Sequence, residues 1–348
     1  YGGYQEGDGS SGVVQDNKVT ISGGDLSGSK VYGGYSNTSN VVHNTVEITE
    51  EFTGTVYYGI TGGASSSGNA IKNTVSIDGG TIGRYENNVY GGYSKTGTAG
   101  GTEEEGNTVT ITGGNVKGYA AGGFSESGAV KNNVVTVSGS DTEVAEVRGG
   151  SSSAGTVSDN TVDIQGGTVG YAYGGISGDN GTANGNTMNI SGGTVTRGIY
   201  GGDPDASATY NAVTISGDAK ISSSYLTGGR SYNISTGGKA TGNTFTINGG
   251  IFSGVAEYSY AITGGFTDTE GTAKDNAVNL TGEVTGLENF ELYGYGNAAT
   301  HSGNELHVGG TKTYDSSGNA TVSGGTVWQG KSSDGTVNNK GENVSNFE

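Results

Sequence analysis

The chain has no cysteine, one proline, one methionine and one tryptophan, and the residues that usually fill cores are scarce: Val, Ile, Leu and Phe are 61 of 348. Without cysteine there is no disulfide framework, no thiolate metal site and no thiol nucleophile. Sixteen Lys and Arg stand against 34 Asp and Glu, a formal net charge of −18, and the basic residues form no cluster along the sequence. That balance argues against nucleic acid or anionic lipid as a partner. No apolar run approaches the roughly 18 residues of a membrane-spanning helix, and no secretory signal peptide is present, so this segment is not expected to insert into a membrane. So few apolar residues with so much net charge ordinarily mean disorder.

What is abundant overrules that inference. Glycine contributes 72 residues and tyrosine 21, and they recur in order. A pentapeptide of the form Asn-x-Val-x-Ile appears eleven times, beginning at Asn17, Asn44, Asn73, Asn107, Asn133, Asn160, Asn186, Asn211, Asn243, Asn276 and Asn304. Successive copies lie 25 to 34 residues apart. A fixed motif with a drifting period means coils of one shape whose loops vary in length. After each pentapeptide comes a turn such as Ser191-Gly192-Gly193-Thr194-Val195, then a run such as Val31-Tyr32-Gly33-Gly34-Tyr35-Ser36. The opening Tyr1-Gly2-Gly3-Tyr4 reads as the second half of a unit, as expected for an excerpt of a longer repeat region.

Strand alternation places Asn, Val and Ile of the pentapeptide on one face and the two intervening residues on the other. The Val and Ile positions are apolar in nearly every copy, so that face is the interior. An inward Asn at the start of each strand predicts a ladder of side-chain amides running from coil to coil. The first Gly-Gly supplies positive φ for a corner, and the second, inside a strand, marks a bend or close backbone approach. These features predict an all-β parallel β-solenoid, a right-handed β-helix of 11 to 12 coils of 25 to 34 residues. Each coil has two strands and a short third at the Thr-Val step. Residues 1–348 form one elongated domain, with less regular terminal coils at 309–348, and a strand spacing of about 4.8 Å gives a rod of roughly 50 to 60 Å.

Chemistry is harder to find. His301, Glu305 and His307 lack a further ligand, Asp203 and Asp205 lack the rest of a calcium loop, and the Gly-rich stretches have no phosphate-loop Lys-Ser/Thr. No metal or cofactor is expected. A polysaccharide-degrading β-helix needs paired carboxylates on adjacent coils; candidates such as Glu47 and Asp163 are coils apart, and no catalytic residue is assigned. An ice-binding face is suggested by outward Thr45, Thr74, Thr108, Thr161, Thr187 and Thr244, but Glu47, Asp163, Asn189, Asn279 and His307 break the second column. The position before the second Gly-Gly is outward and rich in tyrosine. Tyr32, Tyr90, Tyr173 and Tyr200 are the candidate binding residues, with the long loop Lys95 to Gly106 at their rim; other loops swell at 83–88, 230–242 and 254–261.

The alternation of Asn107–Gly114 with Val31–Ser36 and Val89–Ser94 resembles the passenger repeats of bacterial autotransporter proteins. Leu287–Glu291 and Val344–Glu348 look like the Asn-Phe-Glu strands that lead such passengers toward their barrel-proximal part. The resemblance implies export across the outer membrane to an extracellular, cell-surface location. The expected function is an adhesin or stalk-like passenger, not an enzyme, attaching to a protein or glycan on host or bacterial cells. The alternative is a non-adhesive structural spacer or a matrix or filament component.

Overall fold

The computed structural model describes residues 1–6, 12–84, 87–178, 180–232, 237–254, 260–282, 284–287, 290–308, 313–314, 320–322, 325–332 and 337–340. Eleven pentapeptide strands, from Lys18–Ile21 to Glu305–Val308, stack in parallel and in register, making a parallel β-solenoid of about ten coils. Val46 pairs with Val75, Val75 with Val109 and Val109 with Val135, so each pentapeptide position becomes a column. No α-helix occurs among the described residues; a single 3-10 turn covers Glu103–Glu105.

One coil shows the construction. The pentapeptide strand Thr45–Ile48 is followed by a Thr-Val strand, Thr55–Val56, a Gly-Gly strand, Ile60–Ser65, and a short strand, Ala70–Ile71. The first three kinds belong to a 28-stranded sheet and the fourth to a separate 11-stranded sheet. That fourth segment was not expected from the sequence. It is two or three residues long with a single inward Val or Ala in every copy but Thr300–Ser302, too short to display alternation.

Four inward columns fill the main core: Val46 and Ile48 of the pentapeptide, Val56 of the Thr-Val step and Ile60 before the Gly-Gly, each with its counterparts above and below. The short strands build a second, thinner apolar column, for example Ala99, Val130 and Val157. The asparagines stand beside both. Asn133 donates from Nδ2 to the Asn160 side-chain oxygen at 2.8 Å and to the Ala99 carbonyl of a short strand at 3.0 Å. Its own Oδ1 accepts from the Asn107 backbone N–H at 2.9 Å and from Asn107 Nδ2 at 2.8 Å. Every donor and acceptor of the buried amide is thereby used, and the pattern repeats from Asn44 to Asn276.

The Gly-Gly strand is cut to fit this ladder. In Val89–Ser94 the inward residues are Val89, Gly91, Gly92 and Ser94, so two neighbours in sequence face the interior and the strand bends between them. A Cβ on Gly92 would lie 2.4 Å from Asn107 Nδ2, and one on Gly91 would lie 2.5 Å from the Gly122 carbonyl. Close approach, not positive φ, explains this pair. The first Gly-Gly does supply left-handed corners, with φ of 71° at Gly80 and 77° at Gly114.

A second left-handed corner precedes the asparagines. Asp16, His43, Lys72, Asn132, Asp159, Tyr210 and Asp275 all have φ between 53° and 58°, and each sits immediately before a ladder Asn. At the far end of the Gly-Gly strand a serine column repeats the logic of the ladder. Ser125 Oγ accepts from the Gly128 N–H at 2.8 Å and donates to the Gly97 carbonyl of the preceding coil at 2.9 Å.

After Val308 the pairing changes. Thr313–Tyr314, Ala320–Val322, Gly325–Ser332 and Val337–Lys340 pair antiparallel, while Gly325–Ser332 also continues the parallel stack on Phe290–Ala298. Leu287 and Phe290 are buried, and Phe290 packs edge-on against Phe252. Glu288, Asn289 and Val344–Glu348 lie outside the described residues.

Two predictions follow from these columns. Ile111→Asp, at a fully buried position, should cost about 4 kcal/mol or more, while Thr110→Asp on the outward side should stay within about 0.5 kcal/mol; equal losses in chemical unfolding would show the faces to be misassigned. At the corner, Lys72→Val should cost at least about 1 kcal/mol, because a β-branched residue tolerates φ near 55° poorly, whereas Lys72→Gly should be neutral or stabilising.

Candidate functional site

The bend at the second Gly-Gly generates two outward columns that flank it. The column before it runs Tyr32, Thr61, Tyr90, Ala121, Arg148, Tyr173, Tyr200, Thr227, Thr263 and Tyr293 in register, with Trp328 pairing next. The column after it runs Tyr35, Ala64, Tyr93, Phe124, Ser151, Ile176 and Asp203. Side chains three residues apart meet across the bend: the Tyr32 and Tyr35 rings are 5.4 Å apart and the Tyr90 and Tyr93 rings 5.8 Å.

The four tyrosines singled out from the sequence therefore share one column but not one cluster. Tyr32 stacks on Tyr1 at 5.1 Å. Tyr90 joins Tyr93, Phe124 and Tyr119, its hydroxyl 2.6 Å from that of Tyr119. Tyr173 and Tyr200 stack at 5.0 Å, with Tyr200 only 4% exposed and the other three half-buried. Thr61 separates the first group from the second, and Ala121 with Arg148 separates the second from the third.

Arginine supplies what the tyrosine pattern alone did not reveal. The chain has four arginines, and each lies against a tyrosine ring near this strand: Arg84 on Tyr57, Arg148 on Tyr119 at 3.8 Å, Arg197 on Tyr171 and Arg230 on Tyr200 at 4.2 Å. Arg148 also pairs with Glu146 and donates to Ser151. Arg230 holds Asp203 in a two-pronged pair at 2.7 and 2.6 Å, and Asp205 accepts from the Asn180 N–H. The sequence signal was present, since Arg148 and Arg230 occupy the two columns beside the Gly-Gly and Arg197 comes just before them, but the ring contacts span coils and have no sequence spacing.

Five surface depressions among the described residues open on this side of the coil. One of about 390 Å³ is bordered by Tyr119, Arg148, Tyr171 and Arg197, and another of about 390 Å³ by Phe124, Arg148, Asp203 and Arg230. Further ones lie at Tyr200, Tyr225 and Phe266, at Lys117 and Thr196, and at Tyr293 and Asn297. No residue of a pentapeptide strand or a short strand lines any of these five. The loop Lys95 to Gly106 lines none either. Its additional residues form the 3-10 turn between the short strand Ala99–Gly100 and Asn107, a corner away from the tyrosine column.

The remaining candidates are dispersed. Glu47 pairs with Lys18 at 2.7 Å and Asp163 accepts from Asn189; Ser76, Thr110 and Thr136 lie between them in the column, so four coil steps, about 19 Å, part the two carboxylates. His307 pairs with Glu305, and His301 stacks on Tyr295. Among the described residues no group of three or more His, Cys, Asp or Glu is placed to hold a metal ion. The outward threonines Thr45, Thr74 and Thr108 do form a registered column, which Val134 and Ala212 interrupt.

Burial raises the tyrosine pKa values and so weakens these phenols as acids. It pushes Tyr32 up to about 12, with the Tyr35 hydroxyl adding to the effect, and Tyr200 up to about 12 against the opposing pull of Arg230. Tyr93, Tyr119, Tyr173 and Tyr293 are raised as well, burial again first among the causes.

No protein-family model, curated protein or solved structure matches the chain.

Because the folded state keeps these phenolic protons and the unfolded chain releases them near pH 10, this contribution to stability is complete below about pH 10 and is lost as pH rises toward 12. Spectrophotometric titration should show the exposed tyrosines ionising first and a second group ionising together with unfolding. A single step near pH 10 in a still-folded protein would contradict the buried tyrosine clusters.

Proposed function

We propose that this chain is a surface-displayed binding rod, an adhesin whose tyrosine-and-arginine face holds an extended glycan on another cell or in its matrix. One observation carries the reading: the depressions, the aromatic clusters and all four arginines coincide on one side of the coil and follow its axis. Tyrosine offers a rigid apolar face with a polar rim, and arginine a planar fork of donors, the pairing that suits a ligand with flat apolar faces edged by hydroxyls. Linear repetition lets successive coils contact successive units of a polymer, so that weak contacts add. Export to the bacterial surface in the manner of an autotransporter passenger belongs to the same proposal.

A non-adhesive spacer is the second reading, favoured by the saturated Asn and Ser ladders, which give stiffness without any binding role. The two part in a single experiment. Thr61, Thr227 and Thr263 already occupy the tyrosine column, so replacing Tyr32, Tyr90, Tyr173 and Tyr200 together by Thr keeps a residue that the coil accepts. The folded quadruple variant should bind epithelial or bacterial cells at least tenfold more weakly than the parent, and periodate oxidation of the cell glycans should do the same to the parent. Undiminished binding by the variant would remove this face, and no binding by the parent would leave the spacer.

A further inference from the structure

The binding face is not uniform in charge. On a chain of net charge −18, the depression bordered by Tyr119 and Tyr171 gathers Lys117, Arg148 and Arg197 around one carboxylate, Glu146. Glu146 is already engaged by Arg148. Lys117 and Arg197 are exposed, and among the described residues neither has a carboxylate within ion-pairing distance. Arg148 is different: its side chain is 18% exposed, its guanidinium carbon stands over the Tyr119 ring 3.8 Å from its centre, and Glu146 and Ser151 occupy only two of its donor nitrogens. A guanidinium held over a ring still has N–H groups to offer, and a carboxylate is the partner they bind most strongly.

The adjoining depression provides the contrast. It shares Arg148, but there Arg230 is neutralised by the two-pronged pair with Asp203, Asp205 adds a second negative charge, and the other contributors are Phe124, Tyr232 and serine hydroxyls. Charge is balanced on that side and in surplus on the other. Together they form a surface in which a cationic site adjoins a charge-balanced one that carries Phe124 and Tyr232.

We propose that the face binds an acidic polysaccharide, a uronate chain, with a carboxylate seated among Lys117, Arg148 and Arg197 and neighbouring sugar rings lying on the tyrosines. The inference rests on the glycan-binding reading above and adds the charge of the ligand. An extended acidic peptide fits less well. The Gly-Gly strands here are hydrogen-bonded on both sides, from Asn115–Ser125 through Thr194–Pro204, so no sheet edge is open for strand addition. A uronate chain carries each carboxylate at the rim of a sugar ring whose face is apolar, and here the cations border the same depression as Tyr119 and Tyr171.

The test measures binding of three uronate oligomers, based on galacturonate, mannuronate and glucuronate, beside their carboxyl-reduced neutral counterparts and poly-glutamate. The parent protein is compared with a Lys117→Ala/Arg197→Ala variant, which among the described residues removes no side-chain hydrogen bond, ion pair or ring contact other than that of Arg197 on Tyr171, and melting checks that it stays folded. At least one uronate oligomer should bind at least tenfold more tightly than its reduced form and than poly-glutamate, more weakly as salt rises, and the double variant should lose at least tenfold of that affinity. Equal binding of acidic and reduced oligomers would overturn the acidic ligand and leave the glycan face standing. Equal loss-free binding by the double variant, or a preference for poly-glutamate, would overturn the proposed site. Failure of every oligomer would overturn the inference, and the glycan reading would fall with it only if the four tyrosine replacements also left cell binding unchanged.

Discussion

The structure depends on one buried hydrogen-bonded column, the asparagine ladder. An amide has two donor hydrogens and an oxygen that accepts twice, and a stack of identical coils offers that demand on each side of every Asn. The amide of Asn133 meets Asn107, Asn160 and the Ala99 carbonyl with nothing left over. Because an unpaired buried amide is costly, any slip of one coil against the next leaves groups unsatisfied along the column. A thin core of Val and Ile cannot impose register so strictly, since one branched aliphatic packs nearly as well as another. The ladder ties the pentapeptide strands of one sheet to one another and to the short strands of the other, which the apolar residues alone would leave loosely related.

That column also shapes the outside. An inward amide at this depth leaves no room for a side chain on the facing strand, so the facing position is Gly34, Gly92 or Gly123, with the Asn amide against it. Two adjacent inward glycines bend the strand, and the bend is what carries the rings of Tyr90 and Tyr93 into contact on the outer surface. The binding face is thus the outward expression of an interior constraint. It also explains why loop insertions matter little to it: the insertion in Lys95 to Gly106 is absorbed at another corner, and Ala99 still pairs with Val130 and Asn107 still bonds to Asn133.

Much of this was legible because repetition turns a weak local pattern into a column. Val109 or Ile111 alone says little, but eleven copies fix the inward face, the Asn ladder, the parallel solenoid and the register of Tyr32 to Trp328. Where the repeat is short or chemically loose, the sequence was silent. The short strand offers only residues such as Val41, Ala70 and Ala99. The left-handed corner before most of the ladder asparagines is filled not only by Asp, Asn and Gly but by His43, Lys72 and Tyr210, which carry no turn signal of their own. The cationic site was the least legible part, because Lys117, Arg148 and Arg197 come from separate coils and meet only through the stacking.

Hydrogen exchange on Asn133→Val tests the ladder most directly. Valine keeps most of the volume and removes four hydrogen bonds of the buried amide, and the account predicts a loss of about 3 kcal/mol or more. The loss of protection should spread to the pentapeptide strands on both sides, Thr108–Ile111 and Thr161–Ile164, and to the facing Gly-Gly strand within Asn115–Ser125. A variant whose protection falls by less than about 0.5 kcal/mol, or only at residue 133 itself, would contradict the ladder as the element that holds the coils in register.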